Sequence, residues 1–337
     1  MTLLAGRYRV GASIGRGCSS VVHHGFDRSL RRPVAIKMMT GLTADGVHTA
    51  LAEAQAAARL SHPNVARVYD FGEAGTGDGK APFLVLEYLS GGTLADRLLQ
   101  GPLPFVEAAA VAADVAAALA AVHAYGLVHR DIKPRNVMVG PAGAKLVDFG
   151  VAAAAGEKPV DADGRIWGTP AYSAPEQLRG EQSHPSADVY ALGVLLHECL
   201  TGSSPWQGST PEHVLVNRHL KPVPTLPNPD DYPAGFADFY EGCVSPRPGK
   251  RPTAHEAARA LRNFTTGRSE PEPPARRSVS TWTSRPRVIA AACGAAAAVI
   301  VGIAVADHGP TDAGEVSWMP PAAGITTADD ISSPSQE

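Results

Sequence analysis

Apolar and polar positions alternate in short runs through the N-terminal part of the chain. YRVGASIG (8–15), SVVHHGFD (20–27), PVAIKMM (33–39), VARVYDFG (65–72) and PFLVLEYL (82–89) are brief, rich in β-branched or aromatic residues, and broken by turn residues. Each predicts a strand. Between them, GVHTALAEAQAAARLS (46–61) has the composition and period of a helix. Past residue 93 the period lengthens, and FVEAAAVAADVAAALAAVHAYG (105–126) and SADVYALGVLLHECLTG (186–202) predict long helices. A mostly β part followed by a mostly α part predicts an α+β architecture of two lobes, 1–88 and 89–264, with a cleft between them.

The pattern changes near residue 265. Residues 265–287, TTGRSEPEPPARRSVSTWTSRPR, are rich in Pro, Ser and Arg and predict a disordered linker, because they hold too little apolar surface to fold. Val288–Ala306, VIAAACGAAAAVIVGIAVA, carries no charge. As a helix it would be about 28 Å long, close to the hydrocarbon thickness of a bilayer, and it predicts one transmembrane span. Arg276, Arg277, Arg285 and Arg287 precede it, whereas residues 307–337 hold acidic residues and no Lys or Arg. That asymmetry places the N-terminal body in the cytoplasm and the tail outside the cell membrane. Gly294, Ala298 and Gly302 recur every fourth residue and offer a helix-pairing face for a homodimer. The tail is short and rich in Pro, Gly and Ser, so input is expected through a partner protein or through clustering in the membrane rather than through a folded external sensor.

Charge and cysteine usage narrow the class. The 337 residues carry a formal net charge of −3, which gives no argument for a nucleic-acid partner. Cys18, Cys199, Cys243 and Cys293 are far apart and form no CxxC pair, so neither a disulfide framework nor a zinc site is expected. The N-terminus MTLLAGRYRVG lacks the apolar core of a signal peptide.

Several residues are candidates for chemistry, although a glycine pair can serve a turn and a lone lysine can simply reach the surface. IGRGCSSVV (14–22) sets Gly15 and Gly17 between two strand-like runs, where backbone N–H groups can approach phosphates. Ser20 replaces the third glycine of a GxGxxG pattern, and a strand rather than a helix follows, which argues against a dinucleotide fold. VAIK ends an apolar strand on Lys37, and Glu53 in the following helix offers it a partner. HRDIKPRN (129–136) gathers Asp131, Lys133 and Asn136 in one short loop, and KLVDFG (145–150) places Asp148 at a strand end. Asn136 and Asp148 are hard oxygen ligands of the kind Mg²⁺ prefers. Asp131 can accept a proton from an attacking hydroxyl, and Lys133 can balance charge on a transferred phosphoryl group.

With GTPAYSAPE (168–176), DVYALG (188–193) and Arg251, these motifs resemble, in order and context, the eukaryotic-type serine/threonine protein kinases of bacteria, actinobacterial-like in kind, over roughly residues 8–264. The resemblance implies the bilobal kinase fold, ATP with Mg²⁺ (or Mn²⁺) as cofactors, and protein Ser or Thr hydroxyls as acceptors. It assigns Ile14, Gly15 and Gly17 to the nucleotide site, the glycines over the phosphates. Val22, Ala35 and Met138 would sandwich the adenine, Leu86 would be the gatekeeper, and the backbone of Glu87 and Leu89 the hinge. Lys37 would hold the α- and β-phosphates and pair with Glu53. Asp131 would be the catalytic base, Lys133 would contact the γ-phosphate, and Asn136 and Asp148 would bind the metal. Glu176 would pair with Arg251 to anchor the activation segment, Asp188 would support the catalytic loop, and Thr169 would hold Asp131 and Lys133.

Arg130 is expected to face an anion on the activation segment. Residues 151–168 contain no Ser, Thr or Tyr, so the usual upstream phosphosite is missing; Asp161 or Asp163 is expected to replace the phosphate in part, with phosphorylation of Thr169 as the rival switch. The expected activity is that of a membrane-anchored signalling kinase able to phosphorylate itself. The alternative is a catalytically weak pseudokinase acting as a nucleotide-binding scaffold, against which stand Lys37, Asp131 and Asp148, all intact. A small-molecule phosphotransferase is disfavoured by the Ala174-Pro175-Glu176 of the activation segment.

Overall fold

Strand pleating explains how PVAIKMM serves a core and a cleft at once. In the strand Arg32–Met39, Val34 and Ile36 are fully buried on one face, which turns Ala35 and Lys37 to the other. The computed structural model describes residues 3–266, apart from 18–19, 40–50, 52–53, 56, 77–78, 149–152, 155, 157–168, 207–210 and 221–222. In it, β1 (Leu3–Leu4), β2 (Tyr8–Arg16), β3 (Ser20–Asp27), β4 (Arg32–Met39), β5 (Val68–Thr76) and β6 (Gly79–Glu87) form one antiparallel sheet in the order β1-β2-β3-β4-β6-β5. The register sets Gly15 opposite Val22, Val22 opposite Lys37, and Ala35 opposite Leu86. The face away from the cleft buries Tyr8, Val34, Ile36, Phe83 and Val85, with the Tyr8 and Phe83 rings edge to face at 6.3 Å. β3 can close over Ile36 because Gly25 has no side chain; a Cβ there would lie 2.4 Å from Ile36 Cδ1.

The second part is helical. α1 (Leu94–Leu98), α2 (Phe105–Ala124), α3 (Pro175–Leu178), α4 (Pro185–Thr201), α5 (Pro211–Leu220), α6 (Phe236–Cys243) and α7 (Ala254–Thr266) follow one another along the chain. α2 packs against α7 and α4. Its alanines, among them Ala108, Ala112 and Ala116, are fully buried and let those neighbours approach closely. By length and composition α2 is the one helix among the described residues that could cross a membrane. Its apolar residues are instead spent on the protein core, where Leu119 and Val122 are fully buried. α4 is buried along nearly its whole length and stops at Gly202, whose φ of 75° is the left-handed helix cap that glycine adopts without strain. Between the two parts run short ribbons: β7 (Gly92–Thr93), β9 (Val137–Gly140) and β10 (Gly143–Leu146) in the order β10-β9-β7, and β8 (Leu127–Val128) paired with β11 (Ala153–Ala154).

Two expected strands are displaced. The one expected at 65–72 begins at Val68, because Asn64 and Ala66 give their backbone to Leu146 (Ala66 N–H to Leu146 O, 3.0 Å; Leu146 N–H to Asn64 O, 2.8 Å). The one expected at 82–89 ends at Glu87, where the chain leaves the sheet for the helical part. The helix expected at 46–61 lies largely outside the described residues, and α7 runs to Thr266, just into the expected linker. The rest of the linker, the apolar run 288–306 and the tail lie outside the described residues.

Asp27 ties the sheet's first strands together. It is fully buried and accepts from Arg7 Nε (2.9 Å) and Nη2 (2.7 Å) and from the backbone of Ser29 and Leu30. The Arg7 hydrogen bonds hold its pKa down at about 2, below the ordinary 3.8. A carboxyl depressed on folding stabilises fully above its unfolded pKa, and that contribution disappears as the pH falls from about 4 to about 2. Urea unfolding across that window is expected to show falling stability in the wild type and a flatter profile, from a lower starting point, in Asp27→Asn.

Candidate active site

The polar loop after β8 is organised by a carboxylate on α4. Asp188 lies in the first turn of that helix, where a negative charge is favoured, and is 1% exposed. Its Oδ2 accepts from the backbone N–H of His129 (2.8 Å) and lies 2.8 Å from His123 Nε2, while its Oδ1 accepts from the N–H of Arg130 (2.8 Å). These bonds hold Arg130 at a φ of 67°, a conformation that costs a non-glycine residue roughly 1–3 kcal/mol. Burial pushes the pKa of His129 below its ordinary value, so the loop keeps a neutral imidazole at its base.

Held in this way, the loop presents a compact set of side chains. Asp131 Oδ2 pairs with Lys133 Nζ at 2.6 Å and accepts from Asn136 Nδ2 at 2.9 Å. Asp131 Oδ1 accepts from the Thr169 hydroxyl at 2.9 Å, and that hydroxyl in turn accepts from Lys133 Nζ at 3.0 Å. Asn136 Nδ2 also donates to the Asp131 carbonyl, and the Asn136 carbonyl accepts from Val147 N–H. The last bond carries the loop's position to Asp148, one residue on. Asp148 has a φ of 64°, and its Oδ1 accepts from Lys37 Nζ across the cleft. The left-handed residues Arg130 and Asp148 thus flank this set of side chains, and such strain is concentrated at functional sites.

The expected partner of Lys37, Glu53, lies outside the described residues. Of the residues expected to line an adenine pocket, Ala35 and Leu86 face each other across β4 and β6, and Val22 follows on β3. Met138 lies on β9 opposite Thr93 and Lys145. Glu87 turns its carboxylate to Lys145 Nζ (2.6 Å) and donates its N–H to Arg67 O (2.9 Å). Leu89 follows in the connection that leaves the sheet. Gly17 N–H donates to Ser20 O at 2.8 Å, and Ile14 is half exposed.

Glu176 and Arg251 form a buried two-pronged ion pair, Nη1 to Oε1 at 2.5 Å and Nη2 to Oε2 at 2.8 Å. Arg251 spends its remaining donors on the carbonyls of Ser186 and Ser245. Asp161 and Asp163, expected opposite Arg130, lie outside the described residues; Arg130 itself is buried. One contact was not foreseen from the sequence: the Tyr172 hydroxyl donates to Glu198 Oε2 on α4, and burial pushes both pKa values up. The available signal was a glutamate inside the otherwise apolar run ALGVLLHECL.

The donor set fits a nucleotide with a divalent cation. A carboxylate and an amide oxygen suit a hard metal ion, and Lys37 and Lys133 supply positive charge on either side of them. Comparison with known proteins agrees. Residues 8–261 match the family model described as the protein kinase domain. The chain is 41% identical to the serine/threonine-protein kinase PknL of Mycobacterium tuberculosis over 227 residues, 66% of this chain and 56% of that protein. It is 40% identical to the serine/threonine-protein kinase PknB of Mycobacterium leprae over 231 residues, 67% of this chain and 37% of that one. Against PknB of Mycobacterium tuberculosis the identity is 35% over 299 residues, 86% and 47% of the two chains. The chain spans about half the length of the curated relatives it matches.

The hydroxyl of Thr169 is committed to Asp131 and Lys133, which makes a prediction. Thr169→Ala removes both bonds and should lower phosphoryl transfer by about 10²-fold, the scale of a small misplacement of a reacting group. Thr169→Ser keeps the hydroxyl and should retain most of the rate; transfer of radiolabelled phosphate measures both.

Proposed function

The chain belongs to the protein kinase family, and from that premise we propose that it transfers the γ-phosphoryl group of ATP to Ser or Thr hydroxyls of proteins, including its own. The observation that carries this reading is the joined set Asp131, Lys133, Asn136 and Thr169, tied through Val147 to Asp148, which Lys37 meets across the cleft. ATP supplies the phosphoryl group, and Mg²⁺ (or Mn²⁺) supplies charge neutralisation. Asn136 and Asp148 would hold the metal, and Lys37, Gly15 and Gly17 the phosphates.

The chain's own residues perform the positioning. Thr169 and Asn136 each bind one carboxylate oxygen of Asp131, so that carboxylate is fixed to receive the proton of an incoming hydroxyl. Lys133 sits against the same carboxylate and keeps positive charge where negative charge gathers. The Glu176–Arg251 pair anchors the segment that begins at Thr169. Phosphoryl transfer asks a protein mainly for such placement and charge balance.

For the chain beyond the body, the apolar run Val288–Ala306 with arginines before it and acids after it supports a single membrane span with the kinase part in the cytoplasm. The small-residue face at Gly294, Ala298 and Gly302 supports pairing of two copies. The enzyme reading is tested with radiolabelled ATP and the purified chain. Asp131→Asn is expected to lose about 10²–10⁴-fold in transfer at unchanged nucleotide affinity. A wild type that labels nothing, or an Asp131→Asn variant that labels as well as the wild type, would contradict it and favour a nucleotide-binding scaffold.

A further inference from the structure

A second arginine grips the segment that starts at Thr169, and the roles assigned above do not include it. Arg218 lies on α5 and is 9% exposed. Its guanidinium lies 4.4 Å from the ring centroid of Trp206 and 5.6 Å from that of Tyr190. Nη2 donates to the Tyr190 hydroxyl at 3.2 Å, and Nη1 donates to the carbonyl of Pro170. Its hydrogen-bond and ring partners among the described residues are therefore a carbonyl, a phenol and two aromatic faces; the carboxylate of Glu176, bonded to Arg251, acts on it only as a charge through space.

Burying a cation with no carboxylate bonded to it is costly, and a Leu or Met would pack against the same two rings at lower cost. Only the guanidinium adds a donor for Pro170 O. The local turn leaves that carbonyl aside: Thr169 O accepts from Tyr172 N–H (2.9 Å), Ser173 N–H (3.3 Å) and Ser173 Oγ (3.2 Å). The same Tyr190 ring also lies 5.0 Å from the guanidinium of Arg251, which holds Glu176. Two arginines on one phenol thus fix the segment 169–176 near its start and at its end.

We propose that Arg218 is a positioning residue for the protein acceptor, acting through the Pro170 carbonyl. The proposal rests on the function put forward above. An acceptor hydroxyl must come to Asp131, which Thr169 touches. An extended chain advances about 3.3 Å per residue, so the residues flanking the acceptor run against Pro170 and its neighbours. Fixing that backbone sets the acceptor's fit and leaves the nucleotide side of the cleft alone.

The test is steady-state kinetics of the full chain with dephosphorylated casein as the acceptor, varying casein and ATP separately. Arg218→Met keeps length and apolar packing but loses the donors; it should raise KM for casein about tenfold while KM for ATP stays within about twofold. Arg218→Lys keeps the charge without the fork and should raise KM for casein about threefold, again at constant KM for ATP. An unchanged KM for casein, or both KM values rising together, overturns the proposal. Should Arg218→Met fail to bind nucleotide, the lysine variant decides by the same split, and its lack of effect counts against the proposal. A wild type that does not phosphorylate casein overturns the proposed function and this inference with it, whereas an active wild type with unaffected variants overturns this inference alone.

Discussion

Two backbone N–H groups, those of His129 and Arg130, point at one buried carboxylate, and the side chains gathered around Asp131 depend on their staying there. Asp188 satisfies both at 2.8 Å and leaves Arg130 in a left-handed conformation that the chain would otherwise avoid. Asp131 is the next residue, so its direction follows from that φ. Lys133, Asn136 and Thr169 then lock onto Asp131, and Val147 passes the position on to Asp148. A helix buried almost throughout is a sound foundation for such a chain of bonds. α4 can move only if the core around Leu192, Leu195 and Leu196 moves with it.

The same helix also holds the segment from Thr169 to Glu176. Tyr190, two residues after Asp188, meets both Arg218 and Arg251, and Glu198 receives the hydroxyl of Tyr172. One helix thus supports the loop 129–136 at its first turn and the segment from Thr169 to Glu176 along its length. The strand face that carries Ala35 and Lys37 is built separately, from the register of β2, β3, β4 and β6, and Lys37 joins it to Asp148.

Which of these features the sequence announced follows from distance along the chain. The pleat of PVAIKMM and the helical period of SADVYALGVLLHECL are local patterns, and both elements stand where the period places them. The strand at 65–72 was misplaced at its start because Leu146, far along the chain, claims the backbone at Asn64 and Ala66. The apolar run 105–126 shows a helix but not its surroundings; only packing against α4 and α7 distinguishes a core helix from a membrane one. HRDIKPRN and Asp148 stood out as polar residues set against apolar runs, whereas GTPAYSAPE was legible only through the resemblance to the kinases. Tyr172 with Glu198, and Arg218 with Pro170, join residues 26 and 48 positions apart through the fold; the glutamate in the α4 run hints at the first, and no local pattern marks the second.

The most direct measurement of this dependence is the rate of phosphoryl transfer by Asp188→Asn at saturating ATP, taken together with its nucleotide affinity. An amide of the same shape can accept on one side only, so it sets a donor against one of the two buried N–H groups. A buried donor left unsatisfied costs about 1–3 kcal/mol. The account predicts a fall in rate of about 5- to 150-fold, with nucleotide affinity within about twofold of wild type. A variant that transfers phosphate at the wild-type rate would show that the loop holds its geometry without the carboxylate, and would contradict the account.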